Sequence, residues 1–442
     1  MKFKIGLILR IIYMTVKVTV WITFGIFYKR QTRTDAHHFK TPAPCIIVGN
    51  HPNTLIDVLI IAKEKKAFVY FLANASMYST KISNWILSRL YAIKIERPKD
   101  VGGRRIDNAE SFKRSADFLT RYGTLFIAAE GSSKLERRLR KLKTGTARIA
   151  LDTMQRNDWT LPLKILTCGI TYEKPKLAGY DMHFNFGAPI DVLEYKALYE
   201  QDTVKAVKKL TRDIQDKMQS LLLHTEPEDD DIDKTVQILE HIHKNEFGNT
   251  HDAQFLLSKK WIAKLLDLKT NKRETYDTMY KQIQDYCDTL KTNGLTDRAV
   301  QERGKFFVQA ILRLFGFLPA VWGWLNNLIA FHLPDFIMRK TGLYPGYTAS
   351  AKLLLTVWIF PWLYWLQYRL VGKLDLGTWL PLIYIVSTII LGFFAMWYFR
   401  TRKNHLSRWR LDRLKSSNPA LYQDIKQQRK AIIDPIFKNL SS

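Results

Sequence analysis

The sequence predicts an α/β domain over residues 35–225, followed by a helical region and a C-terminal pair of membrane helices. Three observations carry this reading. Between 35 and 225, short apolar and β-branched runs alternate with amphipathic stretches. The acidic, proline-containing stretch EPEDDDID at 226–233 ends that alternation and marks a domain boundary. Two apolar segments, 353–368 and 379–398, are then long enough or nearly long enough to cross a bilayer.

Composition narrows the partners. The 442-residue chain has 68 Lys and Arg against 41 Asp and Glu, a formal charge of +27 that suits an anionic partner. Nucleic acid and an anionic membrane surface both qualify, but 12 Trp, 20 Tyr and 24 Phe, many in apolar runs beside Lys or Arg, favour the membrane. The three cysteines, Cys45, Cys168 and Cys287, are far apart and suggest neither a disulfide framework nor a zinc site, which fits a reducing compartment.

The first apolar run, 5–28, is long enough to span, and no small-residue cleavage site follows it. Arg10 and Lys17 interrupt it seven residues apart and share one helical face, so residues 1–34 are expected to form an amphipathic anchor lying in the interface, its two cations reaching headgroups. Strands are expected at 45–48, 67–72, 92–95, 124–128, 164–171 and 183–186. Helices are expected to start near Thr54, Lys81, Asn108, Thr144 and Val204.

The stretch 46–59, IIVGNHPNTLIDVL, organises the domain. Ile46, Ile47 and Val48 read as a buried strand that ends at Gly49, and Pro52 suits the first turn of a helix. His51 therefore stands at a strand exit. Six residues at about 100° each would put Asp57 about 120° out of line with His51 in a regular helix, so a pairing requires His51 in the turn. From there Asp57 can accept the Nδ1 hydrogen and leave Nε2 free to take a proton from a hydroxyl. The alternative is a capping histidine and a solvated carboxylate.

Further charged groups follow at strand exits. Arg97 follows the strand 92–95 and offers a bidentate fork to phosphate. Gly102 and Gly103 mark a loop, Arg104 and Arg105 are expected to be solvated, and Asp107 or Asn108 can cap the next helix, which carries Phe112 inward. Glu130 and Gly131 follow the strand 124–128, with Ser132, Ser133 and the downstream Lys143. Arg137, Arg138, Arg140 and Lys141 form a basic loop that is either solvated or in contact with anionic headgroups or carrier phosphates.

NHPNTLID resembles the first motif of the glycerolipid acyltransferase superfamily, the glycerol-3-phosphate and 1-acylglycerol-3-phosphate acyltransferases, in the branch with five rather than four residues between His and Asp. Arg97 matches the arginine of the second motif. EGSS with Lys143-Thr144-Gly145 resembles the third, with Ala129 where proline is usual. LTCGITY at 166–172 resembles the fourth, and HFNFGAPID at 183–191 the late strand and turn. The resemblance covers about residues 40–225. It implies an acyltransferase domain with a central mixed sheet flanked by helices, with His51 and Asp57 catalytic and Arg97, Glu130, Gly131, Ser132 and Lys143 binding substrate. It implies an acyl-CoA or acyl carrier protein donor, a glycerophospholipid acceptor, and no cofactor or metal.

Beyond the boundary, 226–304 reads as polar amphipathic helices. The apolar stretch 306–331, within 305–350, is interrupted by Arg313, Asn326 and Asn327 and is expected to be interfacial or re-entrant. Residues 351–400 form a hairpin of two spans, and 401–442 a basic tail. Basic clusters on both sides of the hairpin predict cytoplasmic flanks, with the α/β domain facing the cytoplasm from the inner or cytoplasmic membrane. Two classes of function follow: a membrane-bound acyltransferase, or a lipid-binding or membrane-remodelling protein that uses the same domain without catalysis. Joint retention of His51, Asp57, Arg97 and Glu130 favours the enzyme, and the apolar spans disfavour a nucleic-acid role.

Overall fold

The computed structural model describes residues 6–78, 80–87, 91–97, 106–247, 251–301, 306–341 and 345–437, and divides into two compact units. Unit 1 comprises 1–224 and 337–357; unit 2 comprises 225–336 and 358–442. Pro98, Gly102, Gly103, Arg104 and Arg105 lie outside the described residues.

Unit 1 is built on an eight-stranded mixed sheet. Its strands are β1 (Tyr28–Thr34), β2 (Cys45–Gly49), β3 (Val69–Asn74), β4 (Ala92–Ile95), β5 (Thr124–Ile127), β6 (Lys164–Tyr172), β7 (Tyr180–Phe186) and β8 (Ile190–Asp191). The order is β1-β7-β6-β2-β5-β3-β4, with β8 paired to β6. The run β6-β2-β5-β3-β4 is parallel, β7 and β8 are antiparallel to β6, and β1 is parallel to β7.

The central strands are apolar at successive positions because both faces of the sheet are covered. On β2, Ile46 and Val48 enter one core with Leu125 and Ile127, against Ala147, Ile149 and Leu151 of α5 (Gly145–Arg156) and Leu210 and Ile214 of α7 (Thr203–Ser220). Cys45 and Ile47 enter the other with Phe126 and Ile170, against Val20 and Phe24 of α1 (Leu7–Phe27) and Ile56, Ile60 and Ile61 of α2 (Leu55–Glu64). Ala349 and Leu353 complete this second core.

Two expectations are corrected here, and one choice between Asp107 and Asn108 is resolved. Residues 28–34 are not a flank of the anchor: YKRQTRT is an edge strand, fixed by Arg30 to Asp181 at 2.9 Å, Thr32 to His183 at 2.7 Å and Arg33 to Glu64 at 2.6 Å. Lys17 does not reach for headgroups but donates to the carbonyl of Lys65, just past the last turn of α2, where a cation complements the helix dipole. Asn108 does not cap α4 (Ala109–Thr120); its amide brackets the backbone of Glu96 at 2.8 and 2.9 Å, and the Asp107 carboxylate accepts from Ala109 N–H instead.

Unit 2 is helical among its described residues. Asp297 accepts from Tyr286 at 2.7 Å, from Arg429 at 2.8 Å and from Asn245 at 2.8 Å, and Arg429 also holds Glu246 at 2.7 Å. The acidic stretch is no slack linker: it opens α8 (Asp230–Phe247), and Asp229 and Asp231 both grip Lys269 at 2.8 Å. Among the described residues, three helices are long and apolar enough to cross a membrane: α1, Thr348–Gly372 and Leu380–Ser417. The pair 313–326 and 328–341 passes the same test together but is bent by 56°. At this bend Asn327 accepts from Tyr364 at 2.8 Å and donates to the carbonyls of Gly323 and Thr388. Gly323 lies so close to the helix Leu380–Ser417 that a Cβ would sit 1.9 Å from the Leu391 carbonyl, the small-residue contact on which apolar helices pack.

Candidate active site

The parallel strands aim their carboxyl ends at one edge of the sheet, where open α/β sheets collect their chemistry. His51 stands two residues past β2, Arg97 two past β4 and Glu130 three past β5, while Tyr172 ends β6. The shift from strand to helix after His51 is made in Pro52, Asn53 and Thr54, so α2 begins at Leu55 and Asp57 falls in its first turn, pointing back.

His51 Nδ1 lies 3.0 Å from Asp57 Oδ2. The same carboxylate oxygen accepts from Asn53 N–H at 2.8 Å, and Oδ1 accepts from the Tyr172 hydroxyl at 2.5 Å. Asp57 is fully buried, so these three donors replace its water. Burial and the neighbouring Asp57 charge hold the Tyr172 hydroxyl well above its usual range, which keeps it a donor. The His51 side chain is 17% exposed, and with Nδ1 committed to Asp57 its remaining nitrogen is Nε2. The five-residue spacing thus closes the pair because the turn absorbs the additional residue.

Asn50 extends this order backwards. Its side chain donates to the Ile170 carbonyl at 2.9 Å and accepts from Ile170 N–H at 2.8 Å, prolonging the β2–β6 ladder up to His51.

Glu130 joins the second loop to the first. Oε1 accepts from His51 N–H at 2.9 Å and Oε2 from Arg140 Nε at 2.9 Å. Arg140 continues to Ser132 Oγ at 2.8 Å, and Ser133 Oγ accepts from Thr54 N–H at 3.1 Å. Burial raises the Glu130 carboxyl above its ordinary range, with Arg140 and the His51 N–H pulling it part of the way back. Gly131 takes φ +76°, open to glycine without strain, and a Cβ there would meet the Lys143 side chain at 3.6 Å. Lys143 N–H donates to Ala129 O at 2.8 Å and closes the loop, while its side chain is exposed beside the N-terminus of α5, which has no side-chain cap.

Of the residues singled out in the sequence, the structure gathers His51, Asp57, Glu130, Gly131, Ser132 and Lys143. Arg97 stands apart. Its strand is three from β2 in the sheet order, roughly 14 Å at the usual spacing, and its guanidinium reaches Ser76 Oγ at 3.2 Å. Asn108 fixes the backbone of the preceding Glu96. The basic loop is neither simply solvated nor free for headgroups at Arg140, which is spent on Glu130 and Ser132. Sequence reasoning missed Arg140, Asn53, Thr54 and Tyr172 as parts of the site. Tyr172 had a signal, as the last residue of the fourth motif; Arg140 had none beyond a run of like charges.

Residues 30–171 match the family model Acyltransferase, which spans β1 to the penultimate residue of β6 and contains every one of these groups but Tyr172. This part of the chain is an acyltransferase domain. No curated protein matches the chain. Among solved structures, the crystal structure of the 1-acyl-sn-glycerophosphate (LPA) acyltransferase PlsC from Thermotoga maritima is similar at 14% identity and a TM-score of 0.35, covering 47% of this chain and 80% of that one. The acyltransferase domain itself keeps two thiols, Cys45 and Cys168, fully buried, and burial pushes both up, so neither offers a thiolate.

Proposed function

We propose that the protein is a membrane-bound O-acyltransferase of phospholipid synthesis, moving a fatty acyl group from acyl-CoA or acyl carrier protein to a hydroxyl of glycerol-3-phosphate or a lysophospholipid. The observation that carries this is the His51 Nδ1 to Asp57 Oδ2 contact of 3.0 Å at the sheet's carboxyl edge. His51 Nε2 takes the acceptor hydroxyl proton, and the oxygen attacks the thioester carbonyl. The carbon–sulfur bond breaks, and the imidazolium returns its proton to the departing thiolate. Asp57 offsets the imidazolium charge while it exists.

Arg97 and Lys143, with the uncapped amides of α5, are the groups suited to phosphate on acceptor and donor. Glu130 positions rather than binds, since both of its oxygens are already engaged. A membrane location is supported within unit 1: α1 packs Val20 and Phe24 against the core that α2 shares, and exposes Leu7, Ile8, Ile11, Trp21, Ile22 and Ile26. Those side chains need a lipid neighbour. The basic flanks of the apolar hairpin support a domain facing the cytoplasm.

The test is a panel of acceptor hydroxyls with a radiolabelled acyl thioester and purified protein, read by product mass. One acceptor class is expected to be acylated, and His51→Ala to reduce turnover by roughly 10²- to 10⁴-fold without unfolding the protein. Full turnover in folded His51→Ala would remove His51 as the base, and no transfer to any acceptor while lipid binding persists would point to a non-catalytic lipid-binding role.

A further inference from the structure

The turn that follows His51 is held from a distant part of the chain. Thr54 adopts φ +49° and ψ −122°, a backbone state that a β-branched residue rarely occupies and that persists only where its surroundings impose it. The surroundings are specific. Thr54 N–H donates to Ser133 Oγ, and Thr54 Oγ1 bonds the Gly346 carbonyl at 3.2 Å and Ser350 Oγ at 2.9 Å. Ser350 Oγ also reaches the Asn53 carbonyl at 3.5 Å. Thr54 and Ser350 are 4% and 3% exposed, so no water competes for these bonds.

Gly346 and Ser350 lie nearly three hundred residues downstream, at the beginning of α14 (Thr348–Gly372) and far beyond the match to the acyltransferase family. They nevertheless belong to unit 1, anchored there by Ala349 and Leu353 in the core that holds Ile56 and Ile60 of α2. The chain of contact to the chemistry is short. Ser350 and Gly346 fix Thr54, Thr54 fixes the peptide to Asn53, and Asn53 N–H donates to the same Asp57 oxygen that faces His51.

We propose that Ser350 and Thr54 are positioning residues for the His51–Asp57 pair, so that the first turns of α14 complete the catalytic turn in addition to leading into an apolar helix. This rests on the acyl-transfer reading of His51. A hydroxyl pair that fixes a turn acts on the orientation of the base, and misplacement of a catalytic base falls on turnover more than on acceptor binding.

The experiment uses the full-length protein with Ser350→Ala, Thr54→Val, Thr54→Ser and the Ser350→Ala/Thr54→Val double variant. Turnover, acceptor KM, thermal unfolding and carbethoxylation of His51, followed on its peptide by mass spectrometry, are measured for each. Ser350→Ala and Thr54→Val are each expected to lower kcat roughly tenfold with KM within about twofold. Thr54→Ser, which keeps the oxygen, should recover most of the rate. The double variant should be less slow than the product of the two single effects, because both remove the shared Thr54–Ser350 bond. The modification rate of His51 should change in Ser350→Ala and Thr54→Val alone. Wild-type kcat and wild-type His51 reactivity in both would overturn the proposal, as would a loss of rate that only follows unfolding. Absence of transfer by the wild-type protein would instead overturn the acyl-transfer reading, and the His51 modification rates would still decide the positioning role.

Discussion

The Tyr172 hydroxyl donates at 2.5 Å to the Asp57 oxygen that His51 does not use. One carboxylate is thereby held from two strands, the helix turn that carries it being set between β2 and β6. Removing the donor in Tyr172→Phe strands a buried carboxylate oxygen. Loss of a hydrogen bond to a charged group is worth about 1.5–3 kcal/mol, so kcat should fall roughly 10- to 100-fold if the acyl-transfer transition state bears that loss. Steady-state kinetics with the acceptor identified by the panel checks this, and a kcat unchanged from wild type would remove Tyr172 from the machinery.

Glu130 makes stability depend on pH in a direction that can be worked out. Its folded-state carboxyl is raised above its ordinary value by burial, so the folded protein holds this proton more tightly than the unfolded chain does. The stability it contributes is fully present below the unfolded value and is lost as pH rises through the folded one. Glu130→Gln cannot ionise and lacks this loss. The difference in unfolding temperature, variant minus wild type, should therefore increase as pH rises through that window, measured in detergent by scanning fluorimetry. A difference that stays flat or decreases would count against it.

Arg97 stands apart from the network around His51, and its guanidinium donates to the Ser76 hydroxyl. A phosphate clamp supplies mainly ground-state binding, so Arg97→Ala should raise the acceptor KM more than it lowers kcat. Arg97→Lys should restore part of the effect, because an ammonium keeps the charge and loses the planar fork. An acceptor KM equal to wild type in both variants would remove phosphate recognition from this position.

Much of unit 1 was legible because its determinants are local. β2, β5 and β6 are apolar at successive positions, a pattern that burial on both faces produces, and the exits of β2 and β5 carry His51 and Glu130 within a few residues. β1 was not legible. KRQTRT has no apolar alternation, and it is a strand because Asp181, His183 and Glu64 receive its side chains, partners that no local window contains. Arg140 was hidden for a related reason: in a run of cations, nothing in the sequence says which one turns inward to a buried carboxylate. Thr54 and Ser350 are 296 residues apart, and neither is unusual where it stands.

The arrangement of charge around the apolar helices predicts orientation. With basic clusters on both flanks of the hairpin, single cysteines introduced near Lys134 and Ser416 should label from the cytoplasmic side, and one near Gly372 from the opposite side. The background is manageable, since Cys45 and Cys168 are buried and Cys287 is half-buried. External labelling near Lys134 and Ser416 in intact cells would overturn this topology.

The division into units does not follow the order of the chain, and this has a consequence for how the protein is made. Unit 1 leaves off at His224 and is resumed only at Ile337–Val357. A ribosome therefore completes the first part of that unit at His224, with the sheet, His51, Asp57 and Glu130, about 130 residues before it completes the last piece at Val357. At about 5–20 residues per second this is an interval of roughly 7 to 27 s in which the nascent sheet exists without Ala349 and Leu353 in the core that holds Ile56 and Ile60. During it the bent pair of apolar helices is synthesised, ahead of Gly346 and Ser350. Translation order makes the finished turn at Thr54 a late event in the life of this molecule.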